Sequence, residues 1–138
     1  MALSTALYTI LHNNVAVAAV VGTRIYPGVV PENVTLPCIV YEIDNIVPTL
    51  TNTTDVNWDD CTVTVTVMST KHADTETYAG YIRTALYRYQ GTVDSERVED
   101  IEYQSQSAGY QDDKTVNTAT KGVGVFWRQL NFSLKRQA

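Results

Sequence analysis

Basic residues are nearly missing from the first half of this chain. From Met1 to Thr70 the single base is Arg24, against Glu32, Glu42, Asp44, Asp55, Asp59 and Asp60. With a formal net charge of -5 over the whole chain, the surface repels phosphate, which argues against sequence-wide nucleic-acid binding. Histidine is as scarce. His12 and His72 each fall at a predicted helix terminus and read as surface or capping residues rather than general bases. There is no Gly-x-Ser-x-Gly, Walker loop, Gly-x-Gly-x-x-Gly or His-Glu-x-x-His, so hydrolase, nucleotide-binding and zinc-peptidase chemistry have no anchor. The only cysteines, Cys38 and Cys61, make no disulfide framework and no zinc spacing, and they read as buried thiols in a reducing cytoplasm. The start of the chain has no basic stretch followed by a long apolar core, and Val15–Val21 is too short to cross a membrane. The acidic groups Asp59-Asp60, Glu99-Asp100-Glu102 and Asp112-Asp113 lack calcium-loop spacing, and neighbours in a strand point to opposite faces. No catalytic residue, metal or cofactor is expected.

What is present is an ordinary globular balance, 44% hydrophobic and 18% charged over 138 residues, enough for one domain spanning 1–138 with its own core. Leu3, Leu7, Ile10 and Leu11 form the stripe of an amphipathic helix. Asn14 caps a second, very short helix through Val20, and Gly22 takes the left-handed position beyond it. Pro27-Gly28 marks a turn, and Pro31 and Pro37 hold the next stretch extended. Cys38–Ile43 is a strand. Cys61, Val63, Val65 and Val67 alternate with Thr62, Thr64 and Thr66 in the clearest strand of the chain. Tyr78, Ile82, Ala85, Leu86 and Tyr89 define a further helix, with Asp74 and Glu76 near its start, Arg83 and Arg88 near its end, and Gly91 as its stop. Val98–Ser107 and Val123–Leu134 complete the strands, the latter bulged at Gly124 because its apolar residues change alternation. The expected fold is α+β: a four-stranded antiparallel sheet with two main helices on one face, in the order helix-strand-strand-helix-strand-strand, with long loops.

Ile46–Trp58 and Ala108–Thr120 are long connections for a domain of this size, and such loops reach partners or order on binding. Tyrosine is abundant, nine residues against two phenylalanines, and it suits interfaces because it is large, rigid and amphipathic. The candidate subunit or partner interface is therefore Thr49, Thr51, Asn52 and Trp58 in the first connection, and Thr62, Thr64 and Thr66 on the polar strand face. Tyr103, Tyr110, Asp112, Asp113 and Lys114 complete it around the second connection. The plainer reading of the same residues is two solvated hairpin tips and a wet strand face.

The order of these motifs resembles the tail-completion proteins of long-tailed bacteriophages, also called tail-terminator or tail-to-head joining proteins. The matching text is the Leu3–Leu11 helix, Val15-Ala16-Val17-Ala18-Ala19-Val20-Val21-Gly22, and Arg24-Ile25-Tyr26-Pro27-Gly28, its most specific piece. Pro31, Leu36-Pro37-Cys38-Ile39-Val40-Tyr41, the Val63–Met68 strand, the Ala73–Leu86 helix and Phe126-Trp127-Arg128-Gln129-Leu130-Asn131-Phe132 follow. The resemblance implies a structural virion protein of the tail and neck, assembled in the host cytoplasm. It implies a hexameric ring of copies of itself at the head-proximal end of the tail. That ring would stop tail-tube polymerisation, contact the tail-tube protein and the head-completion or stopper protein, and let genomic DNA pass its lumen without specific binding or membrane contact. Readings kept beside it are a head-completion or tail-tube subunit, a generic non-viral binding module, and a metal-dependent nuclease.

Overall fold

A computed structural model describes residues 3–29, 35–49, 58–93, 96–111 and 125–137. Two helices open the chain, α1 (Leu3–Asn13) and α2 (Val15–Val21), bent 92° to each other. The bend falls where expected. The Asn14 side chain accepts a hydrogen bond from the Val17 amide at 3.1 Å and so caps α2. Gly22 has φ 58, as foreseen, but its ψ of -119 lies outside the left-handed helical basin, in a region that suits glycine alone. Then come β1 (Ile25–Pro27), β2 (Cys38–Thr49), β3 (Trp58–Ser69), α3 (His72–Leu86), β4 (Gly91–Val93), β5 (Glu96–Gln111) and β6 (Val125–Gln137).

The class is mixed α+β, with three helices and one six-stranded sheet among the described residues, in the spatial order β1-β2-β3-β6-β5-β4. This corrects the expected four strands and their simple order. The missed strands, β1 and β4, are three residues each, too short to show a period of two. Pro27 and Gly91 in them read as a turn and a helix stop. β1 joins β2 in parallel, while every other pairing is antiparallel.

The long strands outrun their expected ends. Ile46–Thr49 extends β2, where Ile46, Val47 and Thr49 favour a strand despite Pro48, and Ala108–Gln111 extends β5, where partners across the ladder hold residues of little strand preference. Three bulges interrupt the ladder, at Asp44, Glu99 and Gln104. The bulge expected at Gly124 lies outside the described residues, and from Phe126 to Gln137 β6 pairs with β3 without a shift. Its apolar residues change alternation because Trp127 faces one side of the sheet and Leu130, Phe132 and Leu134 the other.

Rows of partners across β2-β3-β6-β5 show how the sheet divides. Ile43, Val63, Phe132 and Tyr103 form one row and Tyr41, Val65, Leu130 and Gln106 another, both on the face beneath the helices. There they meet Leu7, Leu11, Val17, Ala79, Ile82 and Leu86 in a common core. The helices bury this face because their stripes recur at three and four residues. α3 ends earlier than its pattern suggests. Tyr87 turns extended, and Arg88, not Gly91, takes the positive φ (61°) that reverses the chain. The Arg88 amide donates to the Ile101 carbonyl at 2.8 Å, tying this exit to β5.

Candidate assembly surfaces

The other sheet face carries no helix among the described residues. Its rows are Val47-Asp60-Lys135-Asp100, Asn45-Thr62-Ser133-Glu102, Glu42-Thr64-Asn131-Ser105, Val40-Thr66-Gln129-Ser107 and Cys38-Met68-Trp127-Gly109. The first is charged, and the next three are polar and mostly uncharged. β3 builds this face from threonine because branched side chains fit a pleated strand whichever side they point to. β6 continues it with Gln129, Asn131 and Ser133. Thr62 is exposed, Thr66 half-buried and Thr64 only 7% exposed.

Thr64 is enclosed because it sits in a hydrogen-bonded chain spanning four strands. Its hydroxyl donates to the Asp44 carboxylate, which the bulge swings back over β3. It also lies 3.1 Å from the Asn131 side-chain oxygen, and the Asn131 amide nitrogen donates to Ser105 Oγ at 3.0 Å. These polar groups, gathered around the Asp44 carboxylate, keep the middle of the face hydrophilic. Lower on the same face, Thr66, Met68, Trp127 and Gln129 enclose a shallow depression of about 280 Å³. The Trp127 indole lies across the backbone of Gly109, and a Cβ there would fall 2.3 Å from Cζ2.

The two long connections start from opposite ends of this sheet. Thr49 and Trp58, which are register partners, bound the first, and Gln111 and Val125, also partners, bound the second at the other end. Thr49 and Trp58 thus stand at the root of the first hairpin. Thr51, Asn52, Asp112, Asp113 and Lys114 lie outside the described residues. Tyr110, 55% exposed, stands at the root of the second, with its ring 4.7 Å from that of Phe126. Tyr103 points to the helix side, edge-on to Phe132 at 5.8 Å and covered by the Arg83 guanidinium 4.1 Å from its ring centre. The described candidates therefore fall into four places: the root of the first hairpin, the open face, the root of the second hairpin and, for Tyr103, the helix side. Asp44, Gln129, Asn131, Ser133, Ser105 and Ser107 were not foreseen. The polar alternates of β6 carry the available cue, which its change of alternation obscures.

The remaining chemistry is structural. His12 Nδ1 lies 3.2 Å from the Gly22 carbonyl and its ring stacks on Tyr8, which ties α1 to the end of α2. His72 opens α3 beside Glu76. Cys38 and Cys61 are buried thiols, and burial pushes Cys38 up to about 11 against the opposing pull of Arg24. Arg24 donates from Nε to the Pro37 carbonyl at 2.9 Å and from a terminal nitrogen to the Val20 carbonyl at 3.1 Å. The Arg-Ile-Tyr-Pro text thus clamps α2 to the entry of β2. No group of three or more His, Cys, Asp or Glu side chains among the described residues is placed to hold a metal.

A family model, tail completion protein gp17, matches residues 5–123. The chain belongs to that family. As a tail completion protein it is a non-enzymatic structural component of the bacteriophage virion, in the tail and neck region, where it associates with other virion components. Its fold is similar to that of a chain in the virion of a native gene transfer agent particle, with a TM-score of 0.76 and 16% identity over 99% of this chain and 96% of that one. A comparison with curated proteins found no match.

Proposed function

We propose that this tail completion protein forms a closed hexameric ring at the head-proximal end of the tail. There it terminates the tail tube, joins it to the head-completion protein, and lets DNA pass through the lumen. The observation that carries the reading is the family match over residues 5–123. The geometry supports it: the two long connections start from opposite ends of one sheet, as contact with a tube on one side and a head on the other requires. The open face supplies a surface on which DNA does not stick, because the charges on its rows are mostly acidic, Glu42, Asp60, Asp100 and Glu102 against Lys135. Light scattering over a concentration series, followed by negative-stain imaging and by antibody labelling of purified particles, tests the reading. It predicts a discrete ring and label at the neck. Open tubes formed by the protein alone would assign it to the tube instead. A monomer at high concentration that is also absent from particles would sink the proposal.

A further inference from the structure

The sheet ends in two long, mostly uncovered edges. β1 covers only Ile39–Tyr41 of β2, and β4 covers only Glu96–Val98 of β5. Beyond these caps, 42–49 of β2 and 99–111 of β5 have no outer strand partner among the described residues. An uncovered strand presents a row of backbone donors and acceptors that a further strand can pair. Ile46 and Val47 on the β2 run are 43% and 48% exposed, on opposite faces at the very edge, where a neighbouring strand would cover both.

The two edges are also compatible in direction. Three successive antiparallel pairings, β2 with β3, β3 with β6 and β6 with β5, leave β5 running opposite to β2. A rotation about an axis running with the strands keeps their directions. It therefore sets β2 of one copy antiparallel to β5 of the next, so the alternation continues unbroken across the boundary. Two different edges meeting in this way make a heterologous contact, the kind that closes into a ring.

The short outer strands select the register. Level pairing would bring Pro48 to Val98, which β4 already covers, and would set the Glu99, Asp100 and Glu102 stretch against the outer edge instead of an uncharged one. From Tyr103 to Gln111, β5 carries no charge. We propose that copies of this chain join head to tail, the outer edge of β2 from Glu42 to Thr49 pairing antiparallel with the Tyr103–Gln111 edge of the next copy's β5, to make one closed sheet. The stagger this needs is what strand tilt supplies when a sheet closes on itself. The joint rests on the ring reading above but makes a separate demand.

The test is cysteine cross-linking. Asn45, Ser105 and Ser107 are exposed and all lie on the open face. The doubles Asn45→Cys/Ser105→Cys and Asn45→Cys/Ser107→Cys, treated with a short bis-maleimide, should give a ladder of covalent oligomers. Each single variant alone should give no ladder, whereas mixing two singles should give dimers. Gln106→Pro in the double variants should remove the ladder while leaving the far-ultraviolet circular dichroism unchanged. Rings in light scattering without a ladder from either double would overturn the edge joint and leave the ring standing. A strict monomer with no ladder would overturn the edge joint, and the ring reading would then stand or fall on labelling of particles.

Discussion

Arg24 is the residue whose role most exceeds its appearance. As a lone base in an acidic half, it reads as a surface charge, yet it holds two backbone carbonyls from separate elements. Arg24→Met keeps the stem and removes the donors, and should cost about 1.5–3 kcal/mol by chemical denaturation, the range for hydrogen bonds to a charged group. Gly109 is a second such position. Gly109→Ala must push the Trp127 indole off the strand, so in a Trp58→Phe background the remaining tryptophan emission should shift to the red and the melting temperature should fall. Cys38 gives a pH signature. Its thiol is raised from an ordinary value of 9.0 to about 11, so the native state favours the protonated form. The stability this contributes is whole below pH 9 and drains away as pH climbs toward 11. Cys38→Ala should flatten that part of the alkaline limb in urea melts. Tyr41 and Tyr78, both raised chiefly by burial, continue to titrate in the variant. At this scale the sequence disclosed burial well, since the alternating valines of β3 are the core. It disclosed contact poorly, because nothing local in the text says which carbonyl an arginine will reach.

Between elements, the joints that sequence makes visible are those closed within a few residues. Asn14 at the bend is legible because a cap and the amide it serves are three residues apart. Asn14→Ala should therefore lower stability by about 1 kcal/mol without altering the rest of the fold, as denaturant titration would show. The chain from Asp44 through Thr64 and Asn131 to Ser105 joins residues from four strands and is invisible in one dimension. Thr64→Val preserves shape and deletes the hydroxyl. It should cost about 0.5–1.5 kcal/mol, while Val65→Ala one residue on, at the helix-side core, should cost more, since it opens a cavity as well. Short elements were lost for a related reason. β1 and β4 exist because longer strands offer them an edge, and three residues cannot announce themselves by pattern. The helices fared better, since a stripe over three turns carries its own evidence. The end of α3 was misplaced because a left-handed arginine has no sequence signature, whereas Gly91 looked like a stop.

At the scale of the molecule, family membership and class were legible because the Arg-Ile-Tyr-Pro text and the order of long elements span most of the chain. The width of the sheet and its open face were not, since both depend on register. The hairpins have the most to say here. No operation of a cyclic ring exchanges its top and bottom, so every copy would send its Thr49/Trp58 hairpin to one rim and its Gln111/Val125 hairpin to the other. Such a body has no choice of orientation once one rim has docked. Lesions in the two hairpins should therefore sort into two phenotypic classes, tails that fail to stop growing and finished tails that find no head, and a mixed ring carrying one lesion of each kind should be impaired at both rims rather than rescued.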